Sequence, residues 1–394
     1  MSSDILEKCY NFHIVNGLKD AGVYPYFHRV ESAQGPEVMI DGDKKIVVCS
    51  NNYLGLASHP KVIEASCQAA KTYGTSGTGS RFLNGTTDLH EKVERKFADF
   101  VGKEDAILFT TGHHSNLGAI AALVGKGEIV ITDKLDHASI LDGCRLSFGE
   151  MARFRHNDMS DLERVMKKHE GKAMLIVVDG VFSMEGDIAN LPEISKLAKK
   201  YGARVYVDEA HSIGVIGKSG KGTGEHFGME EEVDVLMATA SKSLASVGGF
   251  IAGKREVIDY VKHMARPMIF TASLPPSCTA AIGAAIDLVL AEPERRVKLM
   301  QTAEKMKKEF QSLGYDTNHS QSPIIPLTVG KDEVAFKMWR MLFDEGIFAS
   351  PVVTPAVPEG QAIIRTSYMA THTDDQLSFI LEKFKKVGKE LGVI

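Results

Sequence analysis

Short runs of apolar residues recur along the first two thirds of the chain, and each gives way to polar or glycine-containing sequence. They begin at Ile46, Ala106, Ile129, Met174, Arg204, Asp234 and Gly249, and longer stretches of helical periodicity separate them. Runs that are apolar at successive positions, rather than at alternate ones, suit strands buried on both faces. Alternation of such strands with amphipathic helices predicts an α/β chain, with a mostly parallel sheet covered by helices on both sides. Ahead of it, residues 5–21 read as a helix, followed by an extended arm containing Pro and Gly. After Pro275 and Pro276 the pattern predicts a helical stretch over 277–313, strand-like runs at Ile324 and Ala362, and a last helix from near Asp374. The expected division is an N-terminal helix and arm at 1–45, a large sheet domain at 46–280, and a smaller α+β domain at 281–394. There is no internal repeat and no low-complexity tract.

Two of the predicted strands end in residues of particular chemistry. The run from Arg204 ends in Asp208-Glu209-Ala210-His211, and the run from Asp234 ends in Thr239-Ala240-Ser241-Lys242. Ligands of open α/β sheets sit at the carboxyl ends of strands. Pyridoxal phosphate (PLP) needs a lysine amine for its aldehyde and a carboxylate that keeps its pyridine nitrogen protonated. Lys242 and Asp208 supply that pair, although either residue alone is as readily a surface lysine or a helix cap. The same stretch also spells a helicase-type Mg²⁺ motif, and Gly217-Lys218-Ser219 looks like the end of a phosphate loop. A phosphate loop requires a glycine five residues before Gly217, and position 212 is serine, so the nucleotide-hydrolase reading is set aside.

Further candidates follow other strand ends. Gly112 and His113 lie where the strand at Ala106 turns into a helix, a place where backbone N–H groups hold anions. Thr239 and Ser241 can add hydroxyls to the same phosphate. His137, just past the run at Ile129, can lie against a cofactor ring and handle protons; an isolated histidine is also often a structural partner. Ser183 and His211 are candidates to hydrogen-bond the cofactor's phenolic oxygen. Arg365, at the end of the run from Ala362, can clamp a carboxylate bidentately or simply form a surface ion pair.

Composition narrows the alternatives. The chain has 394 residues, 44% hydrophobic and 25% charged, and a net charge of −5, which offers no electrostatic reason to bind nucleic acid. No apolar run approaches the roughly 20 residues of a membrane span, and the first residues lack a signal-peptide pattern. The five cysteines are scattered in no metal-ligand spacing, which fits a reducing cytoplasm and no metal site.

With these residues placed, the stretch from about Tyr24 to Gln376 resembles the α-oxoamine synthases, a fold-type-I PLP-dependent transferase family that joins an amino acid to an acyl-CoA with loss of CO₂. The resemblance rests on SNNYLGL at 50–56, GSRFLNG at 79–85, DHAS at 136–139, GVFSMEGD at 180–187, DEAH at 208–211, TASKS at 239–243 and TASLP at 271–275. It implies that Lys242 is the Schiff-base lysine and general base, Asp208 the partner of the ring nitrogen, and His137 the residue stacked on the ring. It places Ser183 and His211 near the phenolic oxygen, and Asn51 and Arg365 at the substrate carboxylate. Thr271 would reach the phosphate of a neighbouring subunit, which implies a homodimer with shared active sites.

Four further segments are closer to the bacterial branch that joins L-serine to palmitoyl-CoA than to the biotin or threonine-degradation branches: SRFLNGT at 80–86, SKSLAS at 241–246, PVVTPAVP at 351–358 and MATHT at 369–373. His113 and Ala240 depart from the aromatic residues usual at those positions. A sibling synthase using alanine or glycine, an aminotransferase and a non-catalytic scaffold subunit are the competing readings. The N-terminal helix is the candidate for a peripheral membrane contact, and dimer packing accounts for its apolar face equally well.

Overall fold

Seven strands form the principal sheet, in the order Asp105–Phe109, Gly249–Gly253, Val235–Thr239, Arg204–Asp208, Met174–Asp179, Ile129–Asp133 and Glu150–Phe154. The computed structural model describes residues 4–394. All pairings are parallel except those of Gly249–Gly253, which runs against both its neighbours. Only residues 240–248 join it to the preceding strand, fewer than the dozen or so that a parallel crossover takes. The apolar runs are explained by burial on both faces. Val130, Val177, Tyr206 and Met237 point to one core, while Ile131, Ile176, Val207 and Ala238 point to the other. The chain is thus the α/β architecture expected, with a large, mostly parallel sheet and a smaller C-terminal unit.

Some elements differ from the expectation. Glu150–Phe154 is the outermost strand, and its Glu150 and Arg153 are exposed, so it carries no continuous apolar run. Ile46 does not open the large sheet. It lies in Asp43–Val47, which pairs with Glu37–Ile40 and, in parallel, with Ile347–Phe348. Asp41 and Gly42 both have positive φ, the left-handed pair that closes a two-residue hairpin, and this commits the strand to its immediate predecessor. The N-terminal helical stretch is two short helices, Glu7–Tyr10 and Ile14–Asp20, neither with a buried residue.

The stretch predicted helical over 277–313 is broken at Glu292 into Pro276–Ala291 and Pro293–Leu313. Pro293 lacks an N–H and disfavours helical geometry at the residue before it. The first of these helices packs on Pro60–Tyr73 and Asp88–Val101, so the boundary expected at 280/281 falls inside one helix. Beyond it, Ile324–Gly330, Ala362–Ser367 and Ser350–Val352 make a three-stranded antiparallel sheet, backed by Asp332–Asp344.

Candidate active site

The parallel strands all point their carboxyl ends to one edge of the sheet. There a cavity of about 310 Å³ collects the predicted residues from separate segments: Gly112 and His113; His137; Ser183; Asp208 and His211; and Thr239, Ser241 and Lys242. Arg365 and Asn51 stand beside it. The Arg365 guanidinium donates from Nε to the Ser183 carbonyl at 2.7 Å and from Nη2 to Asn51 Oδ1 at 3.1 Å. Asn51 lines an adjoining cavity of about 630 Å³, which also reaches Ser241 and Lys242. Thr271 lines neither; it is half-buried at the end of the short helix Arg266–Phe270.

Asp208 ends its strand almost fully buried, and both carboxylate oxygens are held. Oδ2 accepts from Asn116 Nδ2 at 2.7 Å and Oδ1 from the Ala210 N–H at 2.9 Å. Asn116, itself fully buried, also donates to Ser139 at 2.9 Å and accepts from the Tyr206 hydroxyl at 2.8 Å. Bonds of this kind hold a carboxylate's direction as well as its charge. Asn116 was within reach of sequence reading only as part of the loop after Ala106; nothing local tied it to Asp208.

Around the carboxylate stand nitrogen bases whose proton affinity burial lowers. Desolvation lowers the Lys242 amine to about 8, opposed by Asp208 and Asp179. Desolvation also pulls His211 well below its ordinary value, helped by the positive charges of Lys242 and Arg365. Its Nδ1 meets the hydroxyl of the fully buried Tyr53 at 2.7 Å, a contact the sequence did not announce. His137 is lowered by desolvation as well. Its backbone N–H donates to Asp179 Oδ2 at 2.9 Å, and its Nδ1 meets Ser139 Oγ at 2.8 Å, which holds the imidazole in the cavity lining. Asp179 in turn is raised well above the usual carboxylate range by burial and by the charge of Asp208.

Opposite lies a place for a phosphate. The helix Gly112–Leu123 starts at the cavity wall, where the Thr111 side chain caps the His114 N–H at 3.1 Å. The N–H groups of Gly112 and His113 therefore stand at the open, positive end of the helix, where no intrahelical acceptor exists. A Cβ on Gly112 would come within 2.7 Å of Thr239 Oγ1, so only glycine lets the backbone approach the hydroxyls of Thr239 and Ser241. Thr239 Oγ1 and Ser241 Oγ are 2.9 Å apart. An amine, a carboxylate held at both oxygens, and a cluster of N–H and hydroxyl donors around one cavity suit the aldehyde, the ring nitrogen and the phosphate of PLP. His113 is exposed beside the cradle, and Ala240 is fully buried in the core.

The chain matches the family described as aminotransferase class I and II over residues 43–384. It is 47% identical over 388 residues to the serine palmitoyltransferase of Sphingobacterium spiritivorum, covering 98% of this chain and 97% of that one. It is 44% identical over 379 residues to the 8-amino-7-oxononanoate synthase of Thermoanaerobacter pseudethanolicus, covering 96% of each. Among solved structures, the serine palmitoyltransferase of S. paucimobilis with bound PLP–myriocin superposes with a TM-score of 0.96 at 38% identity, over 100% of both chains. By sequence, by fold and by the agreement of its cavity with PLP, the chain belongs to the aminotransferase class I and II family and, within it, to the α-oxoamine synthases, PLP-dependent acyltransferases of fold type I.

Proposed function

We propose that the chain condenses L-serine with a long-chain acyl-CoA, palmitoyl-CoA foremost, releasing CoA and CO₂ and leaving 3-ketosphinganine. The observation that carries this reading is the superposition of the whole chain on a serine palmitoyltransferase. When bound, PLP supplies an aldehyde that joins amines and a protonated ring that draws electrons from the substrate's α-carbon. Asp208, oriented by Asn116 and the Ala210 N–H, holds the proton on the ring nitrogen. The Gly112 and His113 N–H groups with Thr239 and Ser241 bind the phosphate, and His137 covers the ring. Ser183 and His211 serve the phenolic oxygen.

Arg365 has Nε and Nη2 engaged by Ser183 and Asn51, which fixes the guanidinium plane and leaves its other N–H groups for the serine carboxylate. The Lys242 amine, lowered to about 8, reaches its free-base form nearer neutral pH than an ordinary lysine does; as the free base it takes the α-proton and later returns one. Between these steps the α-carbon bonds to the thioester carbon, CoA leaves as the thiolate and takes a proton from water, and the carboxylate leaves as CO₂.

A second reading is favoured by the identity to an 8-amino-7-oxononanoate synthase. In it a sibling synthase uses alanine, or glycine in the manner of 2-amino-3-ketobutyrate CoA ligase, with another acyl donor. Visible-absorbance titration of the holoenzyme with L-serine, L-alanine and glycine separately decides between them. Saturation by serine alone, followed by CoA release from palmitoyl-CoA, is the expected result, and a stronger response to alanine or glycine overturns it.

Thr271 lines neither cavity of its own chain, and Phe82, Leu83 and Phe270 are exposed apolar residues. These facts support a homodimer in which Thr271 serves the partner's phosphate. Five free cysteines support a reducing, cytoplasmic setting. No described helix is long and apolar enough to cross a membrane. The exposed Ile5, Phe12 and Ile14 support either a peripheral membrane contact or dimer packing.

A further inference from the structure

Outside the lining of both cavities lies a histidine that the reaction does not use. His156 follows the edge strand Glu150–Phe154, and its imidazole bridges two carboxylates from different segments. Nδ1 meets Asp133 Oδ1 at 3.1 Å, at the end of Ile129–Asp133, and Nε2 meets Asp187 Oδ2 at 3.1 Å. Burial pulls the imidazole's pKa down, but the hydrogen bonds and charges of Asp133 and Asp187 outweigh it and raise it to about 10. Glu185 on the same loop adds a third nearby acid, itself raised by burial. His156 is therefore an imidazolium that donates to both sides.

Its neighbour Asn157 reinforces the tie. Held at a positive φ, Asn157 donates its N–H to Asp133 Oδ2 at 2.7 Å and its amide to Asp187 Oδ2 and the Ile188 carbonyl, both at 3.1 Å.

Asp187 closes a tight hairpin over 181–188. Val181 bridges Ile188, Phe182 donates its N–H to the Asp187 carbonyl at 3.0 Å, and Phe182 packs edge-on to the His156 ring with centroids 4.5 Å apart. At the hairpin's tip is Ser183, whose carbonyl accepts from Arg365 Nε. One unbroken path of hydrogen bonds and packing thus runs from His156 through the hairpin to the guanidinium.

We propose that His156 is a positioning residue for amino-acid recognition: it straps the 181–188 hairpin to the end of Ile129–Asp133 and so sets the Ser183 carbonyl that aims Arg365. The inference rests on the reading that Arg365 binds the amino-acid carboxylate. It gives a reason for an ion pair beside the site that touches neither substrate nor cofactor cavity.

The test uses the full-length holoenzyme with His156→Phe, which keeps a ring against Phe182 and removes both hydrogen bonds, and with Asp187→Leu, which is similar in size and removes the acceptor of His156 and Asn157. In both, KM for the amino acid should rise about tenfold while kcat stays within about threefold. Amide hydrogen exchange over 181–188 should quicken at least about tenfold. The double variant should be little worse than either single one, because both break the same strap. Should His156→Phe not fold, Asp187→Leu carries the same readouts. A loss of thermal stability with KM and 181–188 exchange unchanged would overturn the proposal and leave His156 a purely structural ion pair. Arg365→Lys separates the two readings. If it leaves KM unchanged, the carboxylate role of Arg365 fails, while the exchange measurement still judges the strap.

Discussion

Asn116→Leu is the sharpest probe of how the cavity is built. Leucine nearly fills the same volume but removes the donor 2.7 Å from Asp208 Oδ2 and the acceptor 2.8 Å from the Tyr206 hydroxyl. Hydrogen bonds to charged groups contribute about 1.5–3 kcal/mol. If that bond orients Asp208 toward the ring nitrogen, kcat should fall about 10- to 150-fold, at roughly 1.4 kcal/mol per tenfold. Separately, the fully buried Tyr206 hydroxyl is left without its acceptor, which should cost about 1–3 kcal/mol of folding stability. Steady-state kcat on the PLP-loaded variant reads the first effect and a urea midpoint reads the second. Tyr206→Phe serves as the control, because it removes the phenol and leaves Asn116 on Asp208; its kcat should stay within about threefold. Should Asn116→Leu bind cofactor and keep a kcat within about threefold of the parent, the reasoning is wrong. The Ala210 N–H alone would then orient the carboxylate.

Other predictions follow from single contacts. Lys242→Ala should fold and lose turnover, whereas in the parent apo chain PLP uptake should rise with pH through about 8, the value to which burial lowers this amine; stopped-flow absorbance showing a midpoint at the ordinary lysine value of about 10.4 would count against the desolvation argument. Gly112→Ala places a Cβ 2.7 Å from Thr239 Oγ1, and the overpacking, about 1–3 kcal/mol, should appear as weaker PLP binding in a fluorescence titration; unchanged affinity would move the phosphate elsewhere. Glu94→Gln breaks the buried bidentate pair with Arg81, at 2.7 and 3.1 Å, and urea unfolding should register a loss of about 3–5 kcal/mol. His156, raised to about 10, contributes stability that is complete below the unfolded value of about 6.5 and lost as pH rises through about 10. The stability gap between parent and His156→Phe should therefore narrow on the alkaline side, and a gap constant from pH 6 to 10.5, on the order of these two values, would contradict the imidazolium assignment.

Asp208 and Lys242 were legible because strand ends can be read from local pattern alone. A buried strand shows itself as an apolar run, and the first polar residue past it must lie at the sheet's carboxyl edge, where ligands bind. The same logic failed where a strand is not buried. Glu150–Phe154 carries the exposed polar residues of a sheet edge and offered no run to detect. Ile46 shows the converse failure, an apolar run whose hairpin turn at Asp41 and Gly42 gave it to another sheet.

Pattern along the chain thus determined the α/β class, the chemistry at two strand ends and, through its motifs, the cofactor. Tertiary structure decided which side chains hold those residues in place, because the partners are distant in sequence. Asn116 reaches Asp208 across 92 positions, Tyr53 reaches His211 across 158, and Ser183 reaches Arg365 across 182. A helix or strand is specified by neighbours a few residues apart, so its period is written in the order of residues. A hydrogen bond between two loops depends on where several strands end relative to one another, and that position exists only once the sheet has formed.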